Sequence, residues 1–139
     1  MPNPKLFNTE NQSVSLTNLL VIGRAGSGRF NFINRYLTDL SRAYRFSDLR
    51  IILVDPKGCL FSNHRDLPHL LFGIIDQDDK IGKMVNWLNR EIDLRLQDSS
   101  KKSTSIILII DELADLVIHD LEKKQAIEQL FYKIVSNSQ

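Results

Sequence analysis

The stretch Leu19-Leu-Val-Ile-Gly-Arg-Ala-Gly-Ser-Gly-Arg-Phe-Asn31 decides the fold of this chain. A short apolar run ends at Gly23, a glycine-rich loop follows through Gly26 and Gly28, and an amphipathic segment begins at Arg29. In this order of strand, loop and helix, successive backbone N–H groups and the positive end of the helix can bind phosphate. The spacing predicts a phosphate-binding loop formed by Gly23, Arg24, Ala25, Gly26, Ser27, Gly28, Arg29 and Phe30.

Two residues of this loop depart from the P-loop pattern, which has Lys and then Ser or Thr where this chain has Arg29 and Phe30. A guanidinium is wide and planar, so Arg29 could reach phosphates from outside the loop. Phe30 lacks the hydroxyl that ligates Mg²⁺, and we expect its ring to pack into the core. Asn31 points about 100° away around the helix and does not replace that oxygen. We expect ATP binding that is weak or independent of Mg²⁺, and hydrolysis that is slow or absent.

Length and composition indicate one globular domain. The chain has 139 residues, of which 42% are hydrophobic and 25% are charged, and its formal net charge is +1. This balance excludes a domain-wide attraction to nucleic acid but leaves a local basic patch open. The single Cys59 suits a reducing compartment, and no apolar segment reaches the length of a membrane span. We expect a cytoplasmic domain, unless the chain is a fragment of a larger anchored protein.

Apolar periodicity predicts strands that alternate with helices. We interpret residues 1–18 as a polar arm and residues 19–139 as the domain. Strands are predicted over Leu19–Gly23, Arg50–Asp55 and Ile106–Ile110, and residues 70–75 could add a short one. Helices are predicted from Arg29 to about residue 44, from the acidic cluster at 76–79 to about residue 97, and near the end of the chain. The buried faces of the last two helices are predicted to contain Ile81, Met84, Val85, Leu88, Ile92, Leu96, Ile127, Leu130, Phe131, Ile134 and Val135.

This alternation predicts an α/β fold with a mostly parallel sheet between two helical layers, a three-layer αβα arrangement. In such sheets ligands bind beyond the carboxyl ends of the strands. The glycine loop, Asp55 and the pair Asp111 and Glu112 each follow a predicted strand. Their convergence is the main argument for a nucleotide site.

Asp111 and Glu112 are the candidate chemical groups. P-loop nucleoside triphosphatases place a carboxylate at this strand end to hold Mg²⁺ or its waters, the role predicted for Asp111. Glu112 is placed to take a proton from an attacking water. Acidic residues at strand ends also cap the next helix, and the glycine loop is what favours the functional interpretation.

For the other candidates we favour structural roles. The three histidines lack metal-ligand spacing, and we expect packing or loop roles for them. A nucleic-acid-binding stripe is the alternative for four arginines, but we favour a solvated helix face for Arg35, Arg42, Arg45 and Arg50.

Several segments together resemble the motor domain of the FtsK/SpoIIIE family of DNA translocases. They are the glycine loop, Leu49-Arg-Ile-Ile-Leu-Val-Asp-Pro-Lys-Gly58, Leu67-Pro-His-Leu-Leu71, Trp87 and Ile109-Ile-Asp-Glu-Leu-Ala-Asp-Leu116. The resemblance implies a RecA-like P-loop core and an ATP-driven hexameric ring that moves double-stranded DNA in chromosome or plasmid segregation or transfer. It also implies that Gly23–Arg29 form the Walker A loop, that Asp111 is the Mg²⁺ carboxylate and that Glu112 is the catalytic base.

The chain stops one helix after the Walker B strand, whereas the resembled family continues into further strands. We therefore expect an incomplete core that self-associates, as a homo- or hetero-oligomer, or rearranges its sheet. Two functions remain open at this point. The first is an ATP-binding motor domain, with hydrolysis impaired by Arg29 and Phe30. The alternative is a catalytically inactive pseudo-ATPase that acts as an assembly or partner-binding scaffold.

Overall fold

The computed structural model describes residues 21–22, 24–98, 100 and 104–137. Its elements alternate between helix and strand, as the sequence predicts. In chain order they are α1 (Arg29–Ala43), β1 (Leu49–Val54), a single 3-10 turn (Ser62–His64), α2 (Asp78–Gln97), β2 (Ser105–Ile110), α3 (Leu113–Val117) and α4 (Leu121–Ser136). The apolar pattern predicts neither the short helix α3 nor the 3-10 turn. None of these helices is long and apolar enough to cross a membrane.

The sheet contains β1 and β2 in parallel, joined by a crossover through α2. Their register runs from Leu49 opposite Ser105 to Val54 opposite Ile110. Both strands therefore end at the same level, and the N–H of Asp111 donates to the carbonyl of Val54 at 2.9 Å. The aligned strand ends bring the residues that follow them to one edge of the sheet.

Side chains of β1 alternate between two apolar clusters, because successive residues of a strand point to opposite faces. Ile52 and Val54 pack with buried residues of α2, α3 and α4. Leu49, Ile51 and Leu53 pack with buried residues of α1. The prediction of an α/β fold with a parallel sheet is confirmed, and helices cover both faces of β1.

The possible short strand over Leu70–Ile75 does not form as a continuous strand. Leu70 makes one parallel bridge to Ile51, and Ile75 makes one to Val54. The two bridging residues are five positions apart, whereas their partners on β1 are three apart (75 − 70 against 54 − 51). Two surplus residues therefore loop away from the ladder. The segment still covers this edge of β1, since the Ile75 N–H donates to the Leu53 carbonyl at 2.9 Å.

The predicted first strand is not supported where the structure describes it. Val21 and Ile22 are not in a strand, and Ile22 is 86% exposed. The rest of that prediction, residues 19, 20 and 23, lies outside the described residues, as does the division at residue 18. β2 was predicted as a central strand, but within the described sheet β1 is its one partner and residues 106–110 are only partly buried.

The predicted helix faces are correct near the middle of each helix and wrong near its end. Ile81, Met84, Val85 and Leu88 of α2 are buried, as are Ile127 and Leu130 of α4. Leu96 and Val135, however, are 54% and 59% exposed. Both lie in the last turn of their helices, where the neighbouring elements no longer cover the apolar stripe.

Candidate functional site

The glycine loop turns sharply into α1. The Ser27 N–H donates to the Arg24 carbonyl at 3.1 Å, and the Phe32 N–H donates to the Gly28 carbonyl at 2.9 Å. Gly26 and Gly28 have φ angles of +78° and +89°, which side chains rarely adopt. A Cβ at either position would meet no atom within 4 Å, so backbone conformation rather than crowding selects glycine. Residues 24–28 are exposed at the start of a 15-residue helix, whereas Gly23 is outside the described part of the chain.

Arg29 joins this loop to the carboxylates at the end of β2. Its Nη2 donates to Oε1 of Glu112 at 3.2 Å, and its Nη1 lies 3.5 Å from Oδ1 of Asp111. The predicted convergence of the loop with these two carboxylates is therefore present. The sequence did not predict the direct contact, since Arg29 was expected to face phosphates.

Glu112 has an unusual backbone conformation. Its φ of 53° and ψ of 51° lie in the left-handed region, which costs a non-glycine residue about 1–2 kcal/mol. It is the residue before α3, and its carbonyl accepts a hydrogen bond from the Asp115 N–H at 3.0 Å. The turn directs the chain from β2 into α3 while the Glu112 side chain contacts Arg29.

Asp111 carries a charge that the surrounding groups only partly stabilise. Its side chain is 11% exposed. Burial is the main cause that raises the pKa of Asp111 above its usual value; Arg29 opposes this, whereas Glu112 and Asp55 add to it. Despite its contact with a guanidinium, this carboxylate remains in an environment that disfavours negative charge.

Asp55 organises the loop that follows β1. It is 1% exposed, and its Oδ2 accepts hydrogen bonds from the N–H groups of Leu60 at 2.9 Å and Phe61 at 3.1 Å. The Gly58 N–H donates to the Asp55 carbonyl at 3.0 Å, and Gly58 has a φ of +67° that favours glycine. This residue lies near Asp111, as predicted, but its contacts shape a turn.

Lys57 is a functional candidate that sequence reasoning missed. Its Nζ lies 2.9 Å from Oδ2 of Asp115. Hydrogen bonding and charge attraction from Asp115 are the main causes that raise the pKa of Lys57, and Glu112 and Asp111 raise it further. The sequence feature that could have identified Lys57 is its position directly after Asp55-Pro56, in the turn that follows a predicted strand.

The predicted Mg²⁺ ligand, Asp111, is in contact with Arg29. Phe30 offers no oxygen, and its side chain is exposed, contrary to the expected core packing, because position 30 faces outward on the first turn of α1. Within the described ranges, no three His, Cys, Asp or Glu side chains are grouped so that they could hold a metal ion. The roles predicted for Asp111 as metal ligand and Glu112 as base stay predictions.

Two of the histidines make contacts within the fold, in line with the expected packing or loop roles. His64 Nε2 contacts Asn34 Oδ1 at 2.5 Å, and His69 Nε2 contacts the Tyr44 carbonyl at 2.7 Å. Arg35 is exposed on α1 and pairs with an aspartate of the same helix, as expected of a solvated helix face. That expectation is wrong for Arg50, which lies in β1 and donates to the Leu70 carbonyl at 2.7 Å.

Comparison with known proteins identifies the family of this chain. The model of the FtsK/SpoIIIE family matches residues 3–102, which is most of the chain. The chain belongs to the FtsK/SpoIIIE family. The resemblance proposed from the sequence is thereby confirmed, and the relatives below identify the family as one of DNA-translocating motors. Asp111 and Glu112 lie beyond the matched residues.

Three relatives carry the name DNA translocase FtsK. The protein from Mycobacterium tuberculosis is 34% identical over 102 residues, which cover 73% of this chain and 12% of the relative. The protein from Corynebacterium glutamicum is 30% identical over 132 residues, covering 74% and 14%. The protein from Tropheryma whipplei is 27% identical over 130 residues, covering 75% and 18%. The chain thus spans less than a fifth of the length of these relatives.

Proposed function

We propose that this chain is an ATP-binding domain of an FtsK-like DNA-translocating motor, and that its ATP hydrolysis is impaired. The contact of Arg29 with Asp111 and Glu112 is the observation that carries the proposal. It joins the loop that would bind phosphate to the carboxylates that would act on it. The same contact occupies those carboxylates with an internal cation.

The loop fits a polyphosphate. Its glycines leave open space around the backbone, and the N-terminus of α1 concentrates unpaired N–H groups and positive potential. No acidic residue lies in the first turn of α1 to repel an anion. We assign ATP binding to Gly23, Arg24, Ala25, Gly26, Ser27, Gly28, Arg29 and Phe30.

The same residues do not fit Mg²⁺. Phe30 occupies the position of the hydroxyl ligand, and a single guanidinium contacts both Asp111 and Glu112. Glu112 would have to leave Arg29 before it could act as a base, so we propose slow or absent hydrolysis and ATP binding that does not depend on Mg²⁺.

DNA, oligomer assembly and a cytoplasmic location belong to the proposal as well. The relatives' name supports double-stranded DNA as the partner of the motor. The partly buried residues of β2, which pair with one strand in the described sheet, support association with another strand or subunit, in a homo- or hetero-oligomer. Residues 19–139 are proposed to be part of a larger RecA-like core.

The second candidate is a pseudo-ATPase that serves as an assembly scaffold. The pairing of Glu112 with Arg29 favours it, because the group proposed as catalytic base already has a partner. A scaffold could retain the loop and its contacts without turning over nucleotide.

One experiment separates the two candidates. ATP is titrated with and without Mg²⁺ while phosphate release is measured for wild type, for Arg29→Lys combined with Phe30→Ser, and for this double variant with Glu112→Gln added. The motor proposal predicts turnover in the double variant that Glu112→Gln abolishes. The matched control is Arg35→Lys with Phe46→Ser, which changes the same residue types at exposed positions outside the site. No turnover in any variant would favour the scaffold.

A further inference from the structure

The turn after β1 places a second cation, Lys57, on Asp115, whose N–H donates to the carbonyl of Glu112 at 3.0 Å. Asp55 fixes this turn through its hydrogen bonds to the N–H groups of Leu60 and Phe61. The backbone at Lys57 is therefore held in place, whereas its side chain is 56% exposed and pairs with an equally accessible carboxylate, the 47% exposed Asp115. A fixed backbone and an ammonium that is open to solvent are suited to binding an anion.

Arg29 alone is a poor phosphate ligand in this arrangement. It is the first residue of α1, but its guanidinium is shared between two carboxylates. Arg29, Asp111 and Glu112 together carry a net charge of −1, which opposes the approach of a polyphosphate. Binding needs another positive group on the carboxylate side of the loop.

We propose that Lys57 is that group and binds the terminal phosphate of ATP, supplying the ammonium that the Walker A position lacks. The inference rests on the proposed function. Lysine presents a compact charge on a flexible stem, which is the chemistry that a Walker A lysine provides. Asp115 holds Lys57 until a phosphate, with its higher charge, replaces the carboxylate.

The electrostatics of the turn agree with this role. Asp115, Glu112 and Asp111 all raise the pKa of Lys57, so its ammonium lies within the field of the same two carboxylates that Arg29 contacts. The N–H of Asp115, the ion-pair partner of Lys57, donates to the Glu112 carbonyl, so this ion pair lies next to the residue that Arg29 contacts. An anion above these carboxylates can meet both cations.

The test compares two substitutions that break the same ion pair from opposite sides. ATP affinity of the full chain is measured by calorimetry at one ionic strength for wild type, Lys57→Met and Asp115→Asn. Lys57→Met should weaken binding by about tenfold, the usual effect of losing a charge-assisted hydrogen bond. Asp115→Asn should strengthen binding by about two- to fivefold, because an exposed ion pair of ordinary strength no longer competes for Lys57. Lys124→Met, which removes an ammonium from a half-exposed pair on α4, is the matched control and should have no effect.

A purely structural ion pair predicts a different pattern. If Lys57 only anchors α3, both substitutions should weaken ATP binding to the same extent, and that result would overturn the inference. Unchanged affinity in Lys57→Met would overturn it as well, while leaving ATP binding by the loop intact. If neither wild type nor Asp115→Asn binds ATP, both the inference and the proposed function are wrong.

Discussion

The guanidinium of Arg29 contacts Glu112 across 83 positions of the chain, and this contact connects the start of α1 to the end of β2. It places a permanent positive charge where a catalytic P-loop site would admit a metal ion. Because the side chain belongs to the loop itself, the neutralising cation does not need to bind from solution. The proposed consequence is that phosphate binding does not depend on a metal ion.

Removing this internal cation should open the carboxylates to metal. We expect Arg29→Gln to increase the affinity for Mn²⁺, used as a spectroscopic substitute for Mg²⁺ in the absence of nucleotide, by about tenfold, since Asp111 and Glu112 lose their neutralising partner. Electron paramagnetic resonance of free Mn²⁺ measures the change. Arg35→Gln, which breaks an exposed pair within α1, is the control. Equal Mn²⁺ affinity in wild type and Arg29→Gln would show that the guanidinium does not exclude metal.

The energetic cost of the left-handed backbone at Glu112 should be measurable in the free energy of unfolding. Both Glu112→Ala and Glu112→Gly lose the contact with Arg29, but glycine adopts this conformation without strain. We expect the glycine variant to be about 1 kcal/mol more stable than the alanine variant in urea unfolding. At Glu122, in the first turn of α4, the order should reverse by roughly 0.5–1 kcal/mol, because glycine weakens an ordinary helix. The same order at both positions would contradict the strained turn.

Asp55 should be important for stability despite its place near the carboxylates of the site. Asp55→Ala leaves the buried N–H groups of Leu60 and Phe61 without their acceptor, and we expect a loss of about 2–4 kcal/mol in the free energy of unfolding. Asp48→Ala, at an exposed position just before β1, should cost less than about 0.5 kcal/mol. A small effect at both positions would mean that water replaces the carboxylate in this turn.

The lowered pKa of His64 predicts that the folded protein becomes less stable in mild acid. Burial lowers its pKa below the ordinary value of 6.5. The unfolded chain therefore binds a proton more readily than the folded chain, so the stabilisation is complete above pH 6.5 and declines as the pH falls below it. The free energy of unfolding, measured between about pH 8 and about pH 5, should fall less steeply in His64→Gln than in wild type. The exposed His119→Gln should keep the wild-type slope; identical slopes in all three proteins would contradict the assignment.

The sequence predicts those parts of the fold that depend on local patterns. The helix from Arg29 and the strands now seen as β1 and β2 follow from apolar periodicity, and the convergence at the strand ends follows from parallel topology. Leu70–Ile75 is different, because its two surplus residues become apparent only against the register of β1. Leu96 and Val135 continue an apolar stripe, but its exposure depends on where neighbouring elements end.

The details of the site were less accessible to the same reasoning. The glycines at positions 26 and 28 predict a turn, and the turn is present, with a positive φ at both residues. The left-handed Glu112 and its contact with Arg29 depend on long-range packing that no spacing encodes. Lys57 has the sequence appearance of a solvated turn residue, and only the position of Asp115 shows that it faces the site.

The measurement that tests the account most directly is the ratio of ATP affinities with Mg²⁺ and with a chelator, determined by calorimetry on the wild-type chain. Because Arg29 contacts Asp111 and Glu112 and Phe30 offers no ligand, the account predicts that the two dissociation constants agree within about twofold. Binding that is at least about tenfold tighter with Mg²⁺, accompanied by phosphate release that Glu112→Gln abolishes, would contradict it.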